Sequence, residues 1–263
     1  MPSELRDAFA RGRAEGRALV MPFFVCGYPD DETFLESVRA AGEAGADVLE
    51  LGIPFSDPIM DGPVIQEAAN RVLERHVHTA GMIELIGKAK AASGCAVVAM
   101  TYYNIVFHYG LDAFASDLAA AGAAGAILPD LVVEDAGAWR AACARAGLAP
   151  VFIAAQTSPP DRLRALGEAG DGFVYAASLL GVTGERAELN AGARALVERI
   201  RAATDLPVAV GIGVSTPEHA RDVAAYADGV IVGSALVRLV GEAADAPEAV
   251  RAFVGSLRDA VAR

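Results

Sequence analysis

The stretch "DVLELGIPFSDPIMDGP", residues 47–63, sets Glu50 inside an apolar run and follows it with Asp57 and Asp61 among prolines and a glycine. A buried carboxylate without a partner is costly, so a strand carries one only where the charge has a use. In an extended segment successive side chains face opposite ways. Val48 and Glu50 therefore share one face of "DVLELG", and Leu49 and Leu51 share the other. The leucines suit a face covered by helices, which turns Glu50 toward whatever lies on the far side.

Outward from this segment, short β-like runs alternate with longer alanine-rich helical stretches. The strands are expected at 19–27, 47–52, 96–103, 125–130, 149–154, 172–178, 207–213 and 228–234. Their spacing of roughly 20 to 35 residues is that of βα units. Helical patterns such as "DETFLESVRAAGEAGA" and "TPEHARDVAAYA" lie between them, and several end in glycine, as helix C-termini often do. The runs are apolar on both faces, as in a parallel sheet covered by helices. Eight such units with no linker predict an α/β chain folded as a single (β/α)8 TIM barrel over residues 1–263. Residues 1–17 are expected to add an N-terminal helix over the barrel bottom. The other candidate, a doubly wound open sheet, would use fewer strands and a glycine-rich first turn, where this chain has "CGYPDDE".

In a barrel, Glu50 sits near the C-terminal end of the second strand, where active sites of this fold lie, and Asp57 and Asp61 follow in the loop above it. Asp before Pro or Gly also starts turns with no catalytic duty, which is the plain alternative for both. Two carboxylates on neighbouring segments nevertheless suit proton transfers at two ends of a substrate. Glycines crowd the loops after the last three strands, in "GVTGER" (181–186), "VGIGVST" (210–216) and "GSALV" (233–237). Glycine lets backbone N–H groups approach an anion, and Ser234 opens a helix whose N-terminal N–H groups can hold phosphate. Loops after strands seven and eight are the usual phosphate site of this fold, while tight turns are the alternative. Phe23, Phe24, Tyr102, Tyr103 and Tyr175 near the same rim are core packing one by one, and together the wall of a slot for a flat apolar ligand.

Composition narrows the classes. The chain has 263 residues, 54 % of them hydrophobic, ample for a core. It lacks a run of 18 apolar residues and a signal-like N-terminus, so a cytoplasmic protein without a membrane span is expected. A net charge of −12 without a basic cluster argues against nucleic acid and anionic membranes. Cys26, Cys95 and Cys143 are widely spaced, reading as reduced thiols, and the four histidines have no metal-ligand spacing. From the residues alone, the chain reads as a barrel enzyme with paired carboxylates, a phosphate cup and an aromatic slot. The substrate stays open at this level.

"LELGIPFSDPIMDGPVIQEAANRVL" (49–73), "MTYYNIVFHYGLDAF" (100–114), "ILPDL" (127–131), "GFVYAASLLGVTGER" (172–186), "VGIGVSTPEHA" (210–220) and "ADGVIVGSALV" (227–237) resemble the tryptophan synthase α chain family over essentially the whole sequence. The resemblance implies a (β/α)8 barrel that cleaves indole-3-glycerol phosphate to indole and glyceraldehyde 3-phosphate, without cofactor or metal. It also implies a β-chain partner in an α2β2 assembly, to which indole is passed. Carried over, Glu50 resembles the catalytic glutamate and Asp61 the catalytic aspartate. Thr183 and Gly184 match the loop that closes over substrate. Gly184, Gly211, Gly213, Gly233 and Ser234 match the phosphate cup, and Phe23, Tyr102, Ile127, Tyr175 and Ile231 the indole pocket. Asp57, Pro58 and Asp130 fall in loops expected to face the β chain. The sequence departs from the pattern at Ile105 and Val132, where the family has proline, at Ile212, often aromatic, and at His76, where glycine is common. Competing expectations are a free-standing lyase with no β partner, a phosphosugar isomerase, and a silent binding subunit. An isomerase would offer a lysine or histidine at a strand end, yet Lys88 and Lys90 fall in a helix. A silent subunit would not need both carboxylates and the full glycine set.

Overall fold

The structure is a computed structural model describing residues 4–177, 186–211 and 213–262, with the backbone alone for 186–190. The strands β1 (Leu19–Val25), β2 (Val48–Gly52), β3 (Ala96–Met100), β4 (Gly125–Ile127), β5 (Ala149–Ala155), β6 (Val174–Ala177), β7 (Val208–Val210) and β8 (Gly229–Val232) close into one barrel in sequence order. All eight neighbouring pairs run parallel, β8 against β1 included. The helices among the described residues are α1 (Glu4–Ala14), α2 (Asp31–Glu43), α3 (Pro63–Leu73), α4 (Thr79–Ser93), α5 (Tyr103–Tyr109), α6 (Leu111–Ala120), α7 (Gly137–Ala146), α8 (Pro160–Ala169), α9 (Arg186–Arg201), α10 (Pro217–Ala224), α11 (Ser234–Glu242) and α12 (Ala246–Ala260).

Local chemistry sets the helix ends. Asp30 caps α2 by accepting the Thr33 N–H at 2.8 Å, with Asp31 and Glu32 in the first turn facing the positive end of the helix. Thr216 caps α10 ahead of Pro217, and α4 and α7 stop at Gly94 and Gly147 in the left-handed conformation. The strands sort their side chains as alternation requires. Val48 joins Leu19, Met21, Val98, Val151 and Ala209 in the barrel interior, while Leu49 and Leu51 pack under the helices.

The N-terminal helix plugs the barrel bottom as expected. Leu5, Ala8 and Phe9 of α1 are buried in the interior cluster, with the Phe9 ring 5.5 Å from that of Phe173. Covering two large side chains in this way contributes about 1.5–3 kcal/mol each. The first residue of the opening stretch has a structural task here. Asp47 pairs with both terminal nitrogens of Arg17, at 2.7 and 2.8 Å, and accepts the Val20 N–H at 2.9 Å. This bidentate pair fixes the start of β1 against the start of β2.

Three strands, β3, β4 and β7, end three residues earlier than the sequence predicts, and each has a physical reason. β3 stops at Met100 because the Tyr103 N–H is taken by Asp130 Oδ1 at 2.9 Å, which starts α5. β4 stops before Pro129, which has no N–H for the ladder. β7 stops at Val210, beyond which Gly213 turns left-handed at φ +52°. Cys26, Cys95 and Cys143 are free and buried.

His76, where the sequence departs from an expected glycine, has φ +55° and an exposed side chain. A side chain in this region is disfavoured, whereas glycine enters it freely. His76→Gly is therefore expected to stabilise the fold, by about 0.5–1 kcal/mol. Urea unfolding monitored by circular dichroism checks this, and a lower midpoint in the variant would contradict the strain.

Candidate active site

A cavity of about 370 Å³ opens at the C-terminal end of the barrel, lined by residues of β1, β2, β3, β5, β6 and β8. Phe23 of β1 stands opposite Glu50 of β2 in the register, and Met100, Ile153, Tyr175 and Ile231 complete the wall. Asp61, Gly62 and Ile65 enter from the loop after β2 and the start of α3. Gly211, Gly213, Val214, Ser215, Gly233, Ser234, Ala235 and Arg238 close the side under β7 and β8.

Glu50 is 2 % exposed, and its Oε2 has no hydrogen-bond partner among the described residues. Burial, and secondarily the negative charge of Asp61, push its carboxyl up to about 8. Asp61 is only partly buried and is pushed up to about 6 by burial, against which the Tyr102 hydroxyl works by donating to it. The same hydroxyl accepts the Met60 N–H at 3.0 Å, and the Tyr102 ring stacks on Phe55 at 5.0 Å. The Gln66 amide donates to the Asp61 carbonyl at 2.9 Å, holding the turn that presents the carboxylate. At neutral pH the cavity thus holds one protonated acid and one carboxylate, two carboxyls given different charge states by their surroundings. Tyr175 is pushed up well beyond the ordinary tyrosine range by burial and by the two acids, so it stays a neutral phenol.

At the glycines expected from sequence to form a phosphate cup, lack of a side chain has different causes. A Cβ on Gly211 would lie 2.1 Å from the Tyr175 hydroxyl, so this glycine is required by the tyrosine that leans on it. Gly213 is left-handed with open space where its Cβ would be, leaving its backbone free toward the cavity. At Gly233 the nearest atoms, on Ile65 and Phe23, are 3.9 and 4.0 Å away. Ser234 begins α11, and no side chain caps that helix.

Most of the residues singled out from sequence are brought together: Glu50, Asp61, Phe23, Tyr175, Ile231, Gly211, Gly213, Gly233 and Ser234 all line the one cavity. Tyr102 faces a small adjoining pocket shared with Phe23 and Asp61. Ile127 does not reach the cavity. It is fully buried in the layer beneath, with Val98 and Val151, and Pro129, two positions further on, lines the wall instead. Thr183, Gly184 and Ile212 lie outside the described residues. Asp57 and Asp130 are exposed at the rim, whereas Pro58 is buried and offers no surface. Sequence reading passed over Met60, Ile65, Met100, Ile153, Ser215 and Arg238. Ile153 carried a signal, since it lies two residues after Val151 on a recognised strand, but Arg238 lies on a helix and carried none. Among the described residues no group of three or more His, Cys, Asp or Glu side chains could hold a metal ion, and no helix is long and apolar enough to cross a membrane.

The profile of the tryptophan synthase alpha chain family matches residues 9–260. The tryptophan synthase alpha chain of Streptomyces avermitilis is 46% identical over 260 residues, covering 98% of this chain and 94% of the relative. Among solved structures, tryptophan synthase of Mycobacterium tuberculosis in space group F222 superposes with a TM-score of 0.92 at 42% identity, covering 100% of both chains. Tryptophan synthase subunit alpha of Legionella pneumophila str. Paris gives 0.91 at 32% identity, covering 99% of each chain.

The raised Glu50 carboxyl links stability to pH. Its folded value of about 8 lies above the ordinary 4.5, so its contribution is fully present below about 4.5 and is lost as pH rises through about 8. Glu50→Gln, which cannot ionise, is expected to unfold at higher urea than the wild type at pH 9, by on the order of a few kcal/mol. The gap should close toward pH 4.5. Parallel urea curves at the two pH values, with no growth of the gap between them, would refute the buried acid.

Proposed function

The chain belongs to the tryptophan synthase alpha chain family, and from that premise we propose how its cavity performs the family's lyase reaction, the retro-aldol cleavage of indole-3-glycerol phosphate to indole and glyceraldehyde 3-phosphate. The observation that carries the reading is the buried Glu50 carboxyl, its Oε2 unpartnered among the described residues, sharing a cavity with Asp61. The reaction needs a proton delivered to indole C3 and a proton removed from the C3′ hydroxyl. Protonated Glu50 gives its proton to C3, which leaves an indolenium cation and a Glu50 carboxylate. That carboxylate then takes the C3′ hydroxyl proton, the C3′–O electrons form the aldehyde, and the C3–C3′ bond breaks. The electron pair of the broken bond restores the aromatic indole, and Glu50 ends protonated as it began. Asp61 stays anionic throughout, accepts a hydrogen bond from the indole N–H and offsets the ring's positive charge.

The division of charge fits this order of events. Glu50 must begin protonated and Asp61 ionised, which holds between about 6 and about 8. Phe23, Met100, Ile153, Tyr175 and Ile231 supply flat apolar walls for indole, and the backbone around Gly213, Gly233 and Ser234 supplies N–H groups for the phosphate.

A β-chain partner belongs to the same reading. Three large apolar side chains are exposed among the described residues: Ile59 at 80%, Phe107 at 61% and Val132 at 46%. They lie after β2, β3 and β4, three neighbouring strands of the barrel, and so at its C-terminal face. Exposed apolar side chains in neighbouring loops suit a protein interface better than the charged rim of Asp57 and Asp130 alone. Docking there would bear on the loop that carries Asp61.

Glu50→Gln is expected to lower kcat by about 10² to 10⁴ with the fold intact. Asp61→Asn is expected to lose most turnover but keep most substrate affinity, because an amide still accepts from the indole N–H yet leaves the cation unbalanced. Wild-type kcat/KM should follow a bell with limbs near about 6 and about 8, and the acidic limb should vanish in the residual activity of Asp61→Asn. Near-normal turnover of either variant would remove the assignment. The isolated chain is expected to be slow and activated ten- to a hundredfold by a cognate β chain. A partner favouring an active form populated at ~1 % by about 2.7 kcal/mol would raise it to roughly half. Full speed alone, unchanged on adding β chain, would favour a free-standing lyase.

A further inference from the structure

The carboxylates and the glycine-rich wall leave one charged residue of the cavity without a role. Arg238 lines the same cavity as Gly213, Gly233 and Ser234, and among the described residues is the cation in its lining. It lies on α11 four residues after Ser234, hence one turn on and close to the same helix face. Side chains of an α-helix tilt toward its N-terminus, so a long arginine at this position leans back over the first turn. In that turn Leu236 and Val237 donate to the Gly233 carbonyl, while the Ser234 and Ala235 N–H groups precede the first intrahelical bond. Among the described residues no ion pair or hydrogen bond holds the guanidinium, although Glu242 follows one turn later on the same helix.

The charges make this position consequential. The chain carries −12 overall, and its cavity holds the Asp61 carboxylate, so a phosphate monoester dianion approaches a repulsive field. Backbone N–H groups fix the position of a phosphate but bring no net charge. A guanidinium brings one, with a fork that fits two phosphate oxygens.

We propose that Arg238 is a phosphate-binding residue of this lyase, closing over the substrate phosphate from α11 and supplying the positive charge that the glycine backbone lacks. The proposal rests on the lyase reading for its substrate, and on the cavity geometry for its chemistry.

The test compares the full-length wild type with Arg238→Ala and Arg238→Lys. Binding of glycerol 3-phosphate by calorimetry at low ionic strength is expected to weaken roughly five- to thirtyfold in Arg238→Ala. Arg238→Lys should recover part of the loss, and binding of indole, which has no phosphate, should be the same in all three. In turnover of indole-3-glycerol phosphate the loss should fall mainly on KM. Added salt should raise KM more steeply in the wild type than in Arg238→Ala, because the removed contact is screened. Equal glycerol 3-phosphate affinity in wild type and Arg238→Ala would overturn the proposal, as would equal weakening of indole binding, which marks general damage. A wild type that binds glycerol 3-phosphate through Arg238 but does not cleave indole-3-glycerol phosphate would support the phosphate assignment and overturn the lyase reading.

Discussion

Glu50 carries an ionisable carboxyl into the interior of a closed barrel, where its Oε2 finds no hydrogen-bond partner among the described residues. Such a group is stabilised only as the neutral acid, and the fold has to hold it in spite of the cost of charging it. The surrounding structure over-determines its place. β2 is buried along its whole length, bonded to β1 on one side and β3 on the other, with leucines anchored under the helices. A slip of one residue would put Leu49 and Leu51 into the barrel and Glu50 under the helices, so the hydrophobic pattern that builds the strand also aims the acid.

The second carboxyl differs because its setting differs. Asp61 comes from a loop, keeps contact with the open cavity and receives a hydrogen bond from Tyr102, so it remains the stronger acid of the two. Asp61 acts on its neighbour, since its charge helps to keep the proton on Glu50. A cavity that holds one proton between two carboxyls can donate and then accept without exchanging with solvent, which is what a proton shuttle between two positions of one substrate requires.

The barrel was legible because it rests on periodicity and spacing, which survive without tertiary knowledge. Glu50 was legible for the same reason, as the apolar alternation of "DVLELG" has one member that breaks the rule. Strand ends were overrun at β3, β4 and β7, where the chain leaves the ladder through side-chain bonds and a left-handed glycine that periodicity does not register. Ile127 was placed a layer too high because the level at which a short strand meets the cavity depends on barrel register, and β4 has only three residues. Arg238 escaped because a lone arginine on an amphipathic helix looks like any solvated charge until the fold turns that helix toward the cavity. The glycines were legible as a set but not in their separate duties: Gly211 makes room for Tyr175, and Gly213 bends the chain.

The departures at Ile105 and Val132 gain meaning from the bonds around them. A proline at 105 would remove the N–H that Ile105 donates to the Tyr102 carbonyl at 3.1 Å. Other hydrogen bonds, which use neither position's N–H, tie the neighbouring loops. Asp130 accepts the Tyr103 N–H, Tyr102 accepts the Met60 N–H, and Tyr102 donates to Asp61. The chain of contacts runs from the loop after β4, through the start of α5, to the turn after β2 that carries Asp61. Ile59 and Phe107, two of the exposed apolar side chains, sit on these same segments. Any displacement of α5 acts on the Tyr102 hydroxyl, which is the hydrogen bond that keeps Asp61 from drifting further toward the protonated form. The rim and the Asp61 carboxylate are therefore joined by a continuous set of bonds, so a force applied at the surface has a defined electrostatic consequence in the cavity.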